Sequence, residues 1–133
     1  MSTRRGVTWD QITSMVSDWP GVSVGTFYGT PGLKVGTTVK NSKGFARLWG
    51  EREHQRDGVQ DSEVLVVFAD IDEKPLLIES SDGVLFETPH YENHNAMLVR
   101  LADADPDGLV GWLEDSYRQK APDRLLNEFD SAS

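Results

Sequence analysis

Residues 22–50 read VSVGTFYGTPGLKVGTTVKNSKGFARLWG, and this stretch decides the fold class. Strand formers (Val22, Val24, Phe27, Tyr28, Leu33, Val35, Val39, Phe45, Leu48 and Trp49) recur between glycines at 25, 29, 32, 36 and 44. Apolar runs this short, punctuated this often, predict successive antiparallel strands and hairpins. Parallel strands are excluded here, because their crossovers need a dozen residues or more. Asn41-Ser42-Lys43-Gly44 reads as the turn at one tip.

Upstream, Thr8 is the expected N-cap of a helix whose Trp9, Ile12, Met15, Val16 and Trp19 fall on one face. Pro20-Gly21 stops it. Downstream, residues 51–62 are polar and read as an exposed loop. Val64 to Ala69 is a run of apolar residues, the mark of a strand covered on both faces. Asp72 is the expected cap of a short helix carrying Leu76, Leu77 and Ile78, with a turn at Asp82-Gly83. Phe86 leads into a loop around Thr88-Pro89-His90-Tyr91, and Ala96 to Leu101 is another strand. Asp105 or Asp107 opens an amphipathic helix with Leu109, Val110, Trp112, Leu113 and Tyr117 as its buried stripe. Pro122 begins a last helix with Leu125, Leu126 and Phe129. The order predicts an α+β fold around an antiparallel sheet. The 133 residues read as one domain, its core running from about residue 8 to residue 129.

Composition narrows the chemistry. The chain has no cysteine, which excludes a disulfide framework, a thiolate nucleophile and a cysteine-type zinc site. No run of 18 apolar residues occurs, and the start MSTRRGVTWDQ turns polar where a signal peptide needs an apolar stretch. A cytoplasmic protein without a membrane span is expected. Net charge is −9, which by itself speaks against nucleic acid. Residues 1–56, however, sum to +4 and residues 57–133 to −13. A split of this kind allows a positive face on a negative protein. The plainer alternative, an acidic surface that serves solubility, stays open.

Four constellations bear on function. His90 and His94 have the i, i+4 spacing of a helical metal pair, but Pro89, Asn93 and Asn95 argue for a loop, and no metal is expected. Asp103, Asp105 and Asp107 alternate like a cation loop, yet helix capping is the simpler account. No nucleophile elbow, phosphate loop or dinucleotide fingerprint is present, so no catalytic residue and no cofactor is assigned. The fourth is the basic set Lys34, Lys40, Lys43, Arg47, Arg52 and Arg56, interleaved with aromatic residues on hairpins. That pattern suits backbone phosphate contacts; a solvated outer face with Phe27, Phe45 and Trp49 in the core is the alternative.

The motifs FYGTPGLKVG (27–36), FARLW (45–49), EKPLLIES (73–80), FETPHY (86–91), MLVRL (97–101) and APDRLL (121–126) follow one another in an order that resembles the MmcQ/YjbR family. The resemblance runs from about Trp9 to Phe129. It implies a CyaY-like fold, a twisted antiparallel sheet with helices packed on one side, in a bacterial cytosolic protein. It also implies DNA binding through a double-wing arrangement of hairpins. The matching positions are Tyr28, Gly29, Thr30, Pro31 and Lys34, then Arg47, then Thr88, Pro89, His90, Tyr91 and Arg100. Residues 37–43 lengthen one hairpin and add Lys40 and Lys43 to its tip, while His94 and Asn95 replace a smaller, more apolar segment.

Two functions are expected in consequence. The first is weak, largely sequence-nonspecific DNA binding through Lys34, Lys40, Lys43, Arg47, Arg52 and Arg56. The second is a small-ligand or protein-interaction module framed by Tyr28, Thr30, His90, Tyr91 and Arg100.

Overall fold

The computed structural model describes residues 6–27 and 29–132, with Phe27 described by its backbone alone. Helix α1 (Trp9–Val16) begins where Thr8 closes a reciprocal cap: its hydroxyl accepts from the Gln11 N–H, and the Gln11 side chain accepts from the Thr8 N–H at 2.8 Å. Ile12 and Val16 are fully buried, and Trp9, Met15 and Trp19 pack beside them.

Strands β1 (Val22–Phe27), β2 (Thr30–Val35) and β3 (Lys43–Leu48) form the two expected hairpins. The second turn sits earlier than the sequence suggests. Thr38 to Asn41 make the turn, with Thr38 accepting from the Asn41 N–H and the Ser42 hydroxyl, while Lys43 and Gly44 already belong to β3. The shift is possible because Gly36 lies against the return chain. A Cβ there would stand 2.6 Å from the Ser42 Cα, so only glycine lets the strands close at that point.

Residues 51–57 correct the sequence reading outright. They form helix α2 (Glu51–Asp57), not a loop. Glu53 accepts from the Gly50 N–H at 2.8 Å, and Gly58 ends the helix in the left-handed region at φ 67°. Strand β4 (Val64–Phe68) follows, then α3 (Lys74–Glu79), whose cap is Glu73 and not Asp72. Asp72 instead gives its N–H to Asp70. Of its apolar residues, Leu76 is exposed, and Leu77 and Ile78 are partly buried. After β5 (Leu85–Phe86), a single 3-10 turn (Pro89–Tyr91) leads to β6 (Ala96–Arg100). Helix α4 (Pro106–Lys120) buries Leu109, Leu113 and Tyr117; Val110 and Trp112 lie at its flanks and are only half-buried. Helix α5 (Asp123–Ser131) closes the chain with Leu125 inward.

All pairings are antiparallel, in the order β1-β2-β3-β4-β6-β5, so the fold is α+β around one six-stranded sheet. Alternation along β4 and β6 divides two cores. Leu65, Val67, Met97 and Val99 face α1, α4 and α5, joined by Leu33 and Phe45. Val64, Val66, Ala96 and Leu98 face the other way, against Trp49 and Tyr91. Arg47 pairs with Val66 across β3 and β4, which places it on this second face. The candidate site is built there.

Among the described residues, no helix is long and apolar enough to cross a membrane.

Candidate functional site

Trp49 directly follows β3, on the second face, and is buried. Its Nε1–H donates to the Tyr91 hydroxyl at 3.0 Å, so the one polar atom of a buried indole is satisfied. Tyr91 in turn is held from behind by Lys74. The Lys74 ammonium is 2% exposed, donates to the Tyr91 carbonyl at 2.8 Å and pairs with Glu87 at 2.7 Å. Lysine is almost never buried without a partner, and here both partners fix the 3-10 turn.

Helix α2 docks on this plate. The His54 ring meets Trp49 edge-on with centroids 5.1 Å apart. Asp57, its side chain 6% exposed, accepts from the Thr88 hydroxyl at 2.7 Å and from Arg56 through both oxygens. The Arg56 guanidinium lies 5.9 Å from the Tyr91 ring centre. The Arg56 bond, with help from Thr88 and the Arg56 and His90 charges, holds the Asp57 carboxyl below its ordinary value against the opposing effect of burial. At the helix start, burial pushes Glu53 up. The Arg47 and Gly50 hydrogen bonds and the charges of Arg47 and Arg56 outweigh it, so Glu53 also lies low. Arg47 engages Glu53 through both terminal nitrogens and reaches the Thr30 hydroxyl at 3.4 Å.

The result is an open cleft of about 890 Å³ between the β1–β2 turn and α2. Gly29, Thr30, Arg47, Gly50, Arg52, Glu53 and Arg56 line it. Arg52 and Arg56 share one side of α2 by their i, i+4 spacing. Arg47 rises from the sheet floor. Its fork and that of Arg56 are held rigid by carboxylates, whereas the Arg52 guanidinium makes no ion pair or hydrogen bond among the described residues.

The six expected basic residues therefore divide. Arg47, Arg52 and Arg56 come together in the cleft. Lys40 stands in the β2–β3 turn and Lys43 begins β3, both exposed, at the opposite end of the strand; four residues separate Lys43 from Arg47, about 13 Å of strand. Lys34 lies between the groups, opposite Ser23 and Gly44. Of the second expected set, Tyr28 lies outside the described residues. Thr30 lines the cleft. His90 and His94 are exposed beyond it, with rings stacked at 5.7 Å and 28°. Tyr91 is buried, a support for the site rather than a pocket wall. Arg100 is elsewhere, bound to Asp61 and to the Gly83 carbonyl, with its guanidinium 4.0 Å over the Phe86 ring. Among the described residues, no group of three metal-ligating side chains is placed to hold a metal. Asp105 holds the N-cap position of α4 without a side-chain cap hydrogen bond, and Asp107 sits in the helix's first turn.

Glu53 and Asp57 are the residues that the sequence reading missed. Their signal is the pair of glycines at 50 and 58 bracketing good helix formers, with a glutamate three residues after the first.

Comparison with known proteins gives the fold a counterpart. No family model matches this chain. Three mycobacterial proteins, one from Mycobacterium bovis and two from Mycobacterium tuberculosis, all named only as uncharacterized, are 35% identical over 72 residues. The match covers 54% of this chain and spans about half, 50%, of each relative's length. The crystal structure of the Deinococcus radiodurans protein DR2400, described as a DUF419 domain, superposes with a TM-score of 0.64 at 20% identity. It covers 88% of this chain and 80% of that one, so the chain has the fold of a DUF419 domain.

Proposed function

We propose that this chain is a non-catalytic, cytosolic protein of the MmcQ/YjbR type that binds polynucleotide phosphates weakly and largely without sequence preference. The observation that carries the reading is the convergence of Arg47, Arg52 and Arg56 on one cleft, with Arg52 left unpaired among the described residues. A guanidinium presents its donors in a planar fork that matches a phosphate oxygen pair. Arg47 and Arg56 are pre-oriented by Glu53 and Asp57, so little side-chain entropy is lost on binding. The same carboxylates, with Glu51 on the rim, offset much of the positive charge. Weak, salt-sensitive binding follows.

Arg52→Glu tests the reading because it disturbs no ion pair. At 50 mM salt, titration of a labelled oligonucleotide should show roughly a tenfold loss of affinity, the scale of one charge-assisted contact reversed. Lys40→Glu with Lys43→Glu, at the far hairpin tip, should cost less. An Arg52→Glu variant that binds like the parent contradicts the cleft as the site.

A second reading rests on the shape of the cleft. Its volume falls within the roughly 300–1,000 Å³ of small-molecule sites. The Thr30 hydroxyl beside Arg47 suits a small anionic ligand. Thermal stabilisation by inorganic phosphate or a nucleoside monophosphate, with no oligonucleotide binding, is the outcome that favours it.

A further inference from the structure

We infer that the ligand strand is single-stranded, with a base stacked on the His90–His94 pair while its phosphates enter the arginine cleft; this rests on the polynucleotide reading above. Three observations point to it.

The first is the recess of the arginines. Arg47 is 15% exposed, on a floor between the β1–β2 turn and α2. A duplex offers its phosphates on a stiff, convex backbone with the bases stacked inside. Such a rod meets the exposed rim residue Arg52 but not the floor. A single strand bends into a groove and brings phosphate and base together.

The second is a stacking surface outside the cleft. The His90 and His94 rings lie close to parallel, 5.7 Å apart, and both residues are exposed. Paired imidazoles at this spacing present flat π-faces, and histidine is among the side chains on which unstacked bases settle. Their arrangement does not suit a metal, because stacked rings direct their nitrogens alongside one another instead of toward one point. Tyr91 holds the pair from beneath, edge-on to His90 at 5.2 Å and to His94 at 6.2 Å. Tyr91 is itself anchored by Trp49 and Lys74, which gives the pair a fixed support.

The third is continuity. Tyr91 also carries Arg56, a cleft residue, 5.9 Å from its ring centre. One buried tyrosine thus joins the phosphate site to the stacking site. That juxtaposition is what a nucleotide, base on one side and phosphate on the other, needs.

The test uses the full chain at 50 mM salt with four labelled probes: a 15-residue oligothymidylate, the matching oligouridylate, an abasic strand of equal length, and a 15-base-pair duplex. The single strands with bases should bind at least several-fold tighter than both the abasic strand and the duplex, since stacking adds roughly five- to a hundredfold per base. His90→Ala with His94→Ala should remove that advantage, leaving abasic binding unchanged. The thymidine and uridine arms distinguish DNA from RNA, and both carry the proposed chemistry. Equal affinity for abasic and base-bearing strands overturns the inference, as does a duplex bound as tightly as the single strands. In either case, the polynucleotide reading survives if Arg52→Glu still weakens binding. Failure of all four probes to bind overturns both.

Discussion

The Trp49 indole donates to the Tyr91 hydroxyl at 3.0 Å across 42 residues of sequence, and both side chains are buried on the sheet face away from the large helices. The bond ties the end of β3 to the turn that carries the histidine pair. It also sets the plate on which α2 lies. Tyr91→Phe keeps the ring and removes only the acceptor, leaving the indole N–H buried and unpaired. The expected loss is about 1–3 kcal/mol in urea unfolding. Trp49→Phe with Tyr91→Phe should cost less than the sum of the two single changes; strict additivity would show that the bond is not made.

Tyr117 is the center of the larger core. It is fully buried, contacts Trp19, Phe45 and Phe129 ring to ring, and donates to the Pro20 carbonyl at 2.7 Å. Tyr117→Ala should cost about 3–5 kcal/mol. Trp112→Ala, five residues earlier on the same helix but half-buried, should cost clearly less. Comparable losses in the two variants would contradict the placement of α4.

These two helical positions illustrate how the sequence is legible. Leu109, Leu113 and Tyr117 recur every four residues, and a period alone separates them from Trp112 only by one helical step, so the stripe reads wider than it is. Strands β1 to β3 were legible because glycines bound their apolar runs, and β4 and β6 because their apolar runs are continuous, whereas β5, only two residues long, was not read as a strand. Helix α2 was not, because GEREHQRDG offers no apolar residue and hence no period. Its stability comes from Glu53 on Arg47 and Asp57 on Thr88, contacts 6 and 31 residues apart in sequence. The site depends on this missed element. Read as a loop, residues 51–62 scatter Arg52 and Arg56; as a helix, they bring them to Arg47.

Lys74 has no expected role in the sequence and a definite one in the fold. Lys74→Ala leaves a cavity, an unpaired Glu87 and a Tyr91 carbonyl without its ammonium donor. Breaking a buried ion pair costs about 3–5 kcal/mol, and the value here should sit at or below the lower figure because Glu87 is partly exposed. Lys74→Met, which keeps the stem volume, should recover part of it. An Ala variant as stable as the parent would mean that the ion pair does not hold the turn.

Acid should loosen α2. Glu53 and Asp57 both titrate below their ordinary range in the folded state. The stability they contribute is present above the unfolded values near about pH 4, and is lost as pH falls through the lower folded values. Tm should therefore fall on acidification from about pH 4 downward, where carboxylates protonate. Asp57→Asn should be less stable than the parent at pH 7 and lose less than the parent over the same acid range. A variant with the parent's full acid loss would remove Asp57 from the account.

The salt dependence of single-strand binding tests the arginine cleft most directly. Two to four phosphate contacts on a single strand predict a plot of log affinity against log salt with a slope of about −1.5 to −3 between 50 and 200 mM. Arg52→Glu should make that slope shallower by about one contact, roughly 0.7, while Lys40→Glu with Lys43→Glu leaves it nearly unchanged. A parent slope near zero, or one that Arg52→Glu does not alter, would contradict phosphate binding in the cleft.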